Sequence, residues 1–203
     1  MCDLHRRRKD HSIAEFGKWG PITRQPPLWY THTMAGTRKL WFKVGDTIVY
    51  PGYGVGLVQD IRERQMGDTQ RVFCVLLFKD STGESKVLIP LDNIEEVGLR
   101  PLSTKRRVEE ALAYLGEGEP EILPSWKDRF AQHGSMLASG DLMSVVRVLK
   151  ALWILNNKKP LSFREKKMYQ KALGLIVAEA CEVKVTSRET MEQEILRRLS
   201  PAP

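Results

Sequence analysis

Two periodicities divide the chain, and they meet at Pro101. From Phe42 to about Leu99, apolar residues recur at every second position in short runs bounded by Pro and Gly, the signature of strands. Thr47 to Tyr50 is one such run, closed by a Pro51-Gly52 turn. The next places Val55, Leu57, Gln59 and Ile61 on one face and Gly56, Val58, Asp60 and Arg62 on the other. Gln70 to Phe78 follows a turn at Met66-Gly67-Asp68; Ser85 to Ile89 follows one at Ser81-Thr82-Gly83 and stops at Pro90. A last short strand over Glu95 to Leu99 makes five, which predicts a small SH3- or Tudor-like β-barrel.

Beyond Pro101 the apolar spacing turns helical. Ser103 can cap a helix through Leu115, with Ala111, Leu112 and Leu115 on its apolar face. Gly116 to Pro124 reads as a linker. Ser125 caps a helix from Trp126 to about Ala138, which Ser139-Gly140-Asp141 breaks. Leu142 to about Leu155 follows, its inner stripe being Val145, Val146, Leu149, Leu152 and Trp153. Ser162-Phe163-Arg164-Glu165 is a capping box for a helix to Cys181, and Thr186-Ser187-Arg188-Glu189 opens another through Leu199. Five helices burying their stripes together form a compact bundle. The predicted fold is therefore α+β in two domains, a five-stranded Tudor-like barrel over residues 41–100 and an all-α five-helix domain over 101–201. Residues 1–40 lack sustained periodicity and read as a disordered extension. Met34, followed by AGTRKLWFKVGD, offers an alternative start within it.

Charge sharpens this division. The net charge is +7, yet residues 34–102 carry nine basic and nine acidic side chains and contribute nothing to it. Trp126 to Lys171 carries ten basic and three acidic residues, so positive charge concentrates on one helical stretch. That stretch is either a solvated basic surface or a seat for a polyanion, whose phosphates such a surface neutralises. No apolar run is long enough to span a membrane. MCDLHRRRKDHS lacks the apolar core of a signal peptide, and Cys2, Cys74 and Cys181 are scattered and odd in number. Reduced thiols and a cytoplasmic location are expected.

Candidate chemistry is sparse. Gly52, Gly54 and Gly56 suggest a phosphate loop, but a strand follows them rather than a helix N-terminus, so they read as turn glycines. Tyr50, Tyr53 and Phe73 have the composition of an aromatic cage for a methylated cation, although single barrel aromatics are more often core. Cys2, His5 and His11 lack a second ligand cluster, and no metal or cofactor site is expected. No nucleophile–base pairing or metalloprotease motif occurs, which argues against an enzyme. Trp126 is the residue of most interest. Phe130 and Leu137 share its helical stripe, which favours burial. Its place at the first helical position after a proline-ended linker, flanked by Lys127 and Arg129, favours an exposed ring that stacks on bases or wedges into an opened step.

FKVGDTIVYPGYGVG, WKDRF, LASGD and LSFREKKM, in this order and spacing, together resemble the CarD/CdnL family of bacterial RNA polymerase-binding transcription factors, from about Phe42 to Leu199. The resemblance implies that the Tudor-like domain pairs by strand addition with the lobe of the RNA polymerase β subunit. It implies too that the helical domain meets promoter DNA near the −10 element. Arg64 matches a polymerase-contacting arginine, and Val87, Leu88, Ile89 and Pro90 match the pairing strand. Leu88 falls where some members carry Arg, so its contact is expected to be packing. Trp126 matches the tryptophan that wedges at the upstream edge of the bubble, with Lys127, Arg129, Lys166 and Lys167 as DNA-binding cations. Asp128 stands where relatives commonly carry Arg, and Ala131 where some have a cation, which weakens the implied DNA contact. The expected protein is a monomeric stabiliser of the promoter open complex with little base specificity. A polymerase-bound adaptor lacking productive DNA contact is the alternative, and a polymerase-independent nucleic-acid binder a third.

Overall fold

The computed structural model describes residues 40–66, 68–80 and 83–200. The expected disordered tail, the start at Met34 and the Cys2, His5 and His11 group lie outside those residues. Five strands form one antiparallel sheet: β1 (Thr47–Tyr50), β2 (Gly54–Met66), β3 (Thr69–Asp80), β4 (Gly83–Pro90) and β5 (Arg100–Pro101). Their spatial order is β4-β3-β2-β1-β5, so the sheet is open where a closed barrel was expected. The reason lies in the last strand. Closure would need an edge long enough to reach β4, but β5 is two residues long and pairs with β1 at Ile48 and Val49.

The segment expected to supply that edge, Glu95 to Leu99, is instead a short helix, α1 (Ile94–Val97). Glu95 and Glu96 are weak strand formers that suit a first helical turn. The Gly98 N–H donates to the carbonyls of Ile94 and Glu95 at 3.1 and 3.2 Å and ends the turn. Helices therefore number six among the described residues, where five were expected. The others are α2 (Lys105–Glu117), α3 (Trp126–Ser139), α4 (Leu142–Lys158), α5 (Phe163–Lys184) and α6 (Arg188–Leu199).

A bulge redirects β2. Val58 faces Leu76 and Asp60 faces Val75, which leaves Gln59 as an extra residue and reverses the alternation beyond it. Val58 and Ile61 are consequently both buried, while Leu57, expected on the face of Ile61, is 39% exposed. The helical core joins Leu112 and Leu115 of α2 to Val146, Leu149 and Leu152 of α4, Ile176 of α5 and Ile195 of α6. Truncating any one of these leucines to alanine would cost about 2–5 kcal/mol.

Sheet and helices are clipped together by a small buried polar network. Arg100 of β5 makes a bidentate pair with Glu179 of α5, both contacts at 2.7 Å, and its Nε donates to the Gly140 carbonyl at 2.8 Å. The Ser103 N–H donates to the same carboxylate at 2.9 Å. Glu179 is buried and fully engaged, so this contact has one geometry. Beside it the Pro51 turn lies against Gly140, too close for a side chain there: a Cβ would stand 2.7 Å from Pro51 Cγ. The YPGYG and LASGD motifs are thus two halves of one joint.

Candidate polymerase and nucleic-acid interfaces

Trp126 occupies the first position of α3, where Ser125 accepts a hydrogen bond from the Asp128 N–H at 3.4 Å and caps the helix. The indole is 43% exposed and stacks on Phe130, with centroids 5.5 Å apart and planes at 23°. Leu137, further along the expected stripe, is buried in the core. The stripe therefore splits, its inner end packing and its outer end forming an aromatic pair open to solvent. Lys127 and Asp128 are exposed beside the pair.

Arg129 points elsewhere. Its Nη1 donates to the carbonyls of Leu123 and Pro124, both at 2.8 Å, and Nη2 lies 3.6 Å from Glu165 Oε1. The guanidinium side chain is only 15% exposed. It ties the end of the linker, the first turn of α3 and the first turn of α5 into one unit beneath Trp126. Burial raises the pKa of the Glu165 carboxyl, but donors from Ser162 and the charge of Arg129 outweigh it and hold that pKa below the usual range. His133, one turn past Arg129, is buried; burial first, and Arg129 second, lowers its imidazole pKa against the opposing pull of Glu165.

The start of α5 carries the expected capping box, with Ser162 and Glu165 bonded reciprocally. Lys166 and Lys167 are exposed. The structure adds a residue that sequence reasoning passed over: Phe163, 72% exposed, with Lys167 Nζ 4.6 Å from its ring centroid. Its signal was available, since it repeats the Trp126 pattern of an aromatic at the first helical position beside cations.

The other candidate surface is the β4 edge. Among the described residues β4 pairs with β3 on one side only. The register sets Leu88, Val75 and Asp60 in one row across the sheet, so Leu88 shares a face with Arg62 and Arg64. Val87 and Ile89 point to the opposite face, where Ile89 is fully buried. Pro90 ends the strand opposite Phe73. Arg64 stands directly across from Arg71; burial, then the charge of Arg62, lowers its pKa. Tyr50 and Tyr53 stack at 4.4 Å with planes at 20°, flat against each other with Phe78 nearby, and Phe73 lies buried apart from them, so no cage forms.

No metal-binding cluster of His, Cys, Asp and Glu occurs among the described residues, and no described helix is long and apolar enough to cross a membrane. An open strand edge and an exposed aromatic pair among cations thus lie on one compact unit. Residues 42–103 match the CarD-like/TRCF RID domain, and residues 110–196 match the CarD, C-terminal domain. The chain belongs to the CarD/CdnL-type family of non-enzymatic transcription factors associated with RNA polymerase. It is similar to a Bacillus subtilis (strain 168) protein named "Putative transcription factor YdeB", at 26% identity over 138 residues, 68% of this chain and 89% of that one.

Proposed function

We propose that β4 adds as a strand to the lobe of the RNA polymerase β subunit. The helical domain then holds promoter DNA open near the −10 element. The observation that carries this reading is the exposed Trp126–Phe130 stack, with Arg129 and Glu165 beside it, on the same compact unit as the open sheet edge. On the polymerase side, the β4 backbone around Val87, Leu88, Ile89 and Pro90 supplies the pairing, Leu88 packs, and Arg64 contributes charge from the same face. On the DNA side, Trp126 wedges, and Lys127, Lys166 and Lys167 neutralise phosphates. Arg129 is a positioning residue, because its mostly buried guanidinium directs both Nη atoms at Leu123, Pro124 and Glu165.

Docking to polymerase gives the helical domain a high effective concentration at the promoter, so its DNA contact can be weak. Only an interaction stronger in the open than in the closed complex shifts that equilibrium. A wedge reads groove shape more than base identity, so one copy per polymerase serves many promoters in the cytoplasm. The test is the lifetime of open complexes formed by the cognate holoenzyme. Trp126→Ala should shorten it about tenfold, equivalent to about 1.4 kcal/mol of lost wedging, with polymerase binding intact. An unchanged lifetime would instead leave a polymerase-bound adaptor. That second reading is favoured by the exposed acid Asp128 beside Trp126 and the inward turn of Arg129.

A further inference from the structure

We propose that Phe163 is a second nucleic-acid contact, its ring lying against the sugar–phosphate backbone while Lys167 neutralises the adjoining phosphate. This rests on the DNA contact proposed above and adds a residue to it. Phe163 is 72% exposed, more than Trp126 at 43%, so packing within the fold does not account for it. Trp126 and Phe163 open neighbouring helices whose first turns are joined by Arg129 and Glu165 at 3.6 Å, which puts both aromatics at one end of the bundle.

The charge around that end selects the occupant. Lys127, Arg164, Lys166 and Lys167 are exposed there. Of the two acids in these first turns, Glu165 is held by Ser162 and Arg129, leaving Asp128 alone to oppose four cations. Apolar rings among cations suit a polyanion that also presents flat apolar surface, which is DNA rather than an acidic peptide. The Lys167 ammonium stands 4.6 Å from the ring centroid and covers one face of Phe163. The other face of the ring is left to pack on a sugar.

The full chain with p-benzoylphenylalanine at position 163, bound to cognate holoenzyme on promoter DNA and irradiated, tests the contact directly. Crosslinking to a DNA strand supports the proposal, whereas crosslinking only to polymerase, or none, overturns it. Phe163→Ala, at a position this exposed, should leave the melting temperature unchanged and shorten the open-complex lifetime about fivefold. Lys167→Gln should make the salt dependence of that lifetime shallower by about one in the log–log slope. If Trp126→Ala shortens the lifetime and Phe163→Ala does not, the proposal fails and the wedge stands. A DNA crosslink from position 163 with no effect of Trp126→Ala sinks the wedge and keeps Phe163 as a contact.

Discussion

Gly140→Ala probes the joint between sheet and helices. Gly140 holds φ at +72°, and an added Cβ would lie 2.7 Å from Pro51 Cγ, 2.8 Å from Cβ and 3.1 Å from Cα. The left-handed backbone costs alanine about 1–2 kcal/mol. Forcing a methyl group into a filled contact costs about 1–3 kcal/mol more. A rotamer change cannot relieve the overlap with Pro51 Cα, so the turn itself must move. That movement loads the 2.8 Å bond from Arg100 to the Gly140 carbonyl. The expected loss is about 2–5 kcal/mol, a large share of the stability of an ordinary domain. Urea titration followed by circular dichroism should show the midpoint fall with the slope unchanged. Gly134→Ala is the control: Gly134 lies inside α3 with nothing within 4 Å of an added Cβ, and it should gain about 1 kcal/mol. A Gly140→Ala stability within about 0.5 kcal/mol of wild type would refute this account of the joint.

Three further outcomes follow from single sites. Val185 ends α5 in the left-handed region at φ 52° and is 89% exposed, so Val185→Asn should raise stability by about 1 kcal/mol, read as a higher melting temperature. The His133 pKa is lowered from 6.5 in the fold, so the unfolded chain takes up the proton first; stability is full above pH 6.5 and declines as pH falls below it. Urea midpoints at pH 7.5 and 5.5 should differ less in His133→Leu than in wild type, and equal differences would exclude His133 as the source. Cys74 is fully buried with its thiol pushed up to about 12, so iodoacetamide at pH 8 should leave it unmodified until urea unfolds the chain.

The first four strands and most helix starts were legible because periodicity and caps are local. The misses share a different cause. Ser103 reads as a cap, but Glu179 takes its N–H, so the cap falls to Thr104, which accepts from Arg107. Thr186 reads as the start of α6, but its N–H closes the end of α5 on the Cys181 carbonyl, leaving Ser187 to cap. The Gln59 bulge carries no glycine to announce it, and it moves Ile61 off the face of Leu57 onto the buried face of Val58. Arg129 was expected among the DNA-facing cations. Its long side chain turns back onto the Leu123 and Pro124 carbonyls and toward Glu165, far along the chain, and helical periodicity encodes neither. Trp126 was ambiguous for the same reason, since a helical stripe does not say which end leaves the core.

The open β4 edge bears on how the chain behaves in concentrated solution. An unpaired strand edge is a template for any extended chain, including another copy. The outer half of β4 is guarded: Gly83 to Lys86 are exposed, and Glu84 pairs with Lys79 at 2.9 Å. Its inner half, Val87 to Pro90, is apolar and partly or wholly buried. Under the strand pairing with polymerase proposed above, recruitment and colloidal stability compete for the same eight residues. Replacing Glu84 and Lys86 with valine would favour pairing in general, and its first symptom would be turbidity rather than tighter docking.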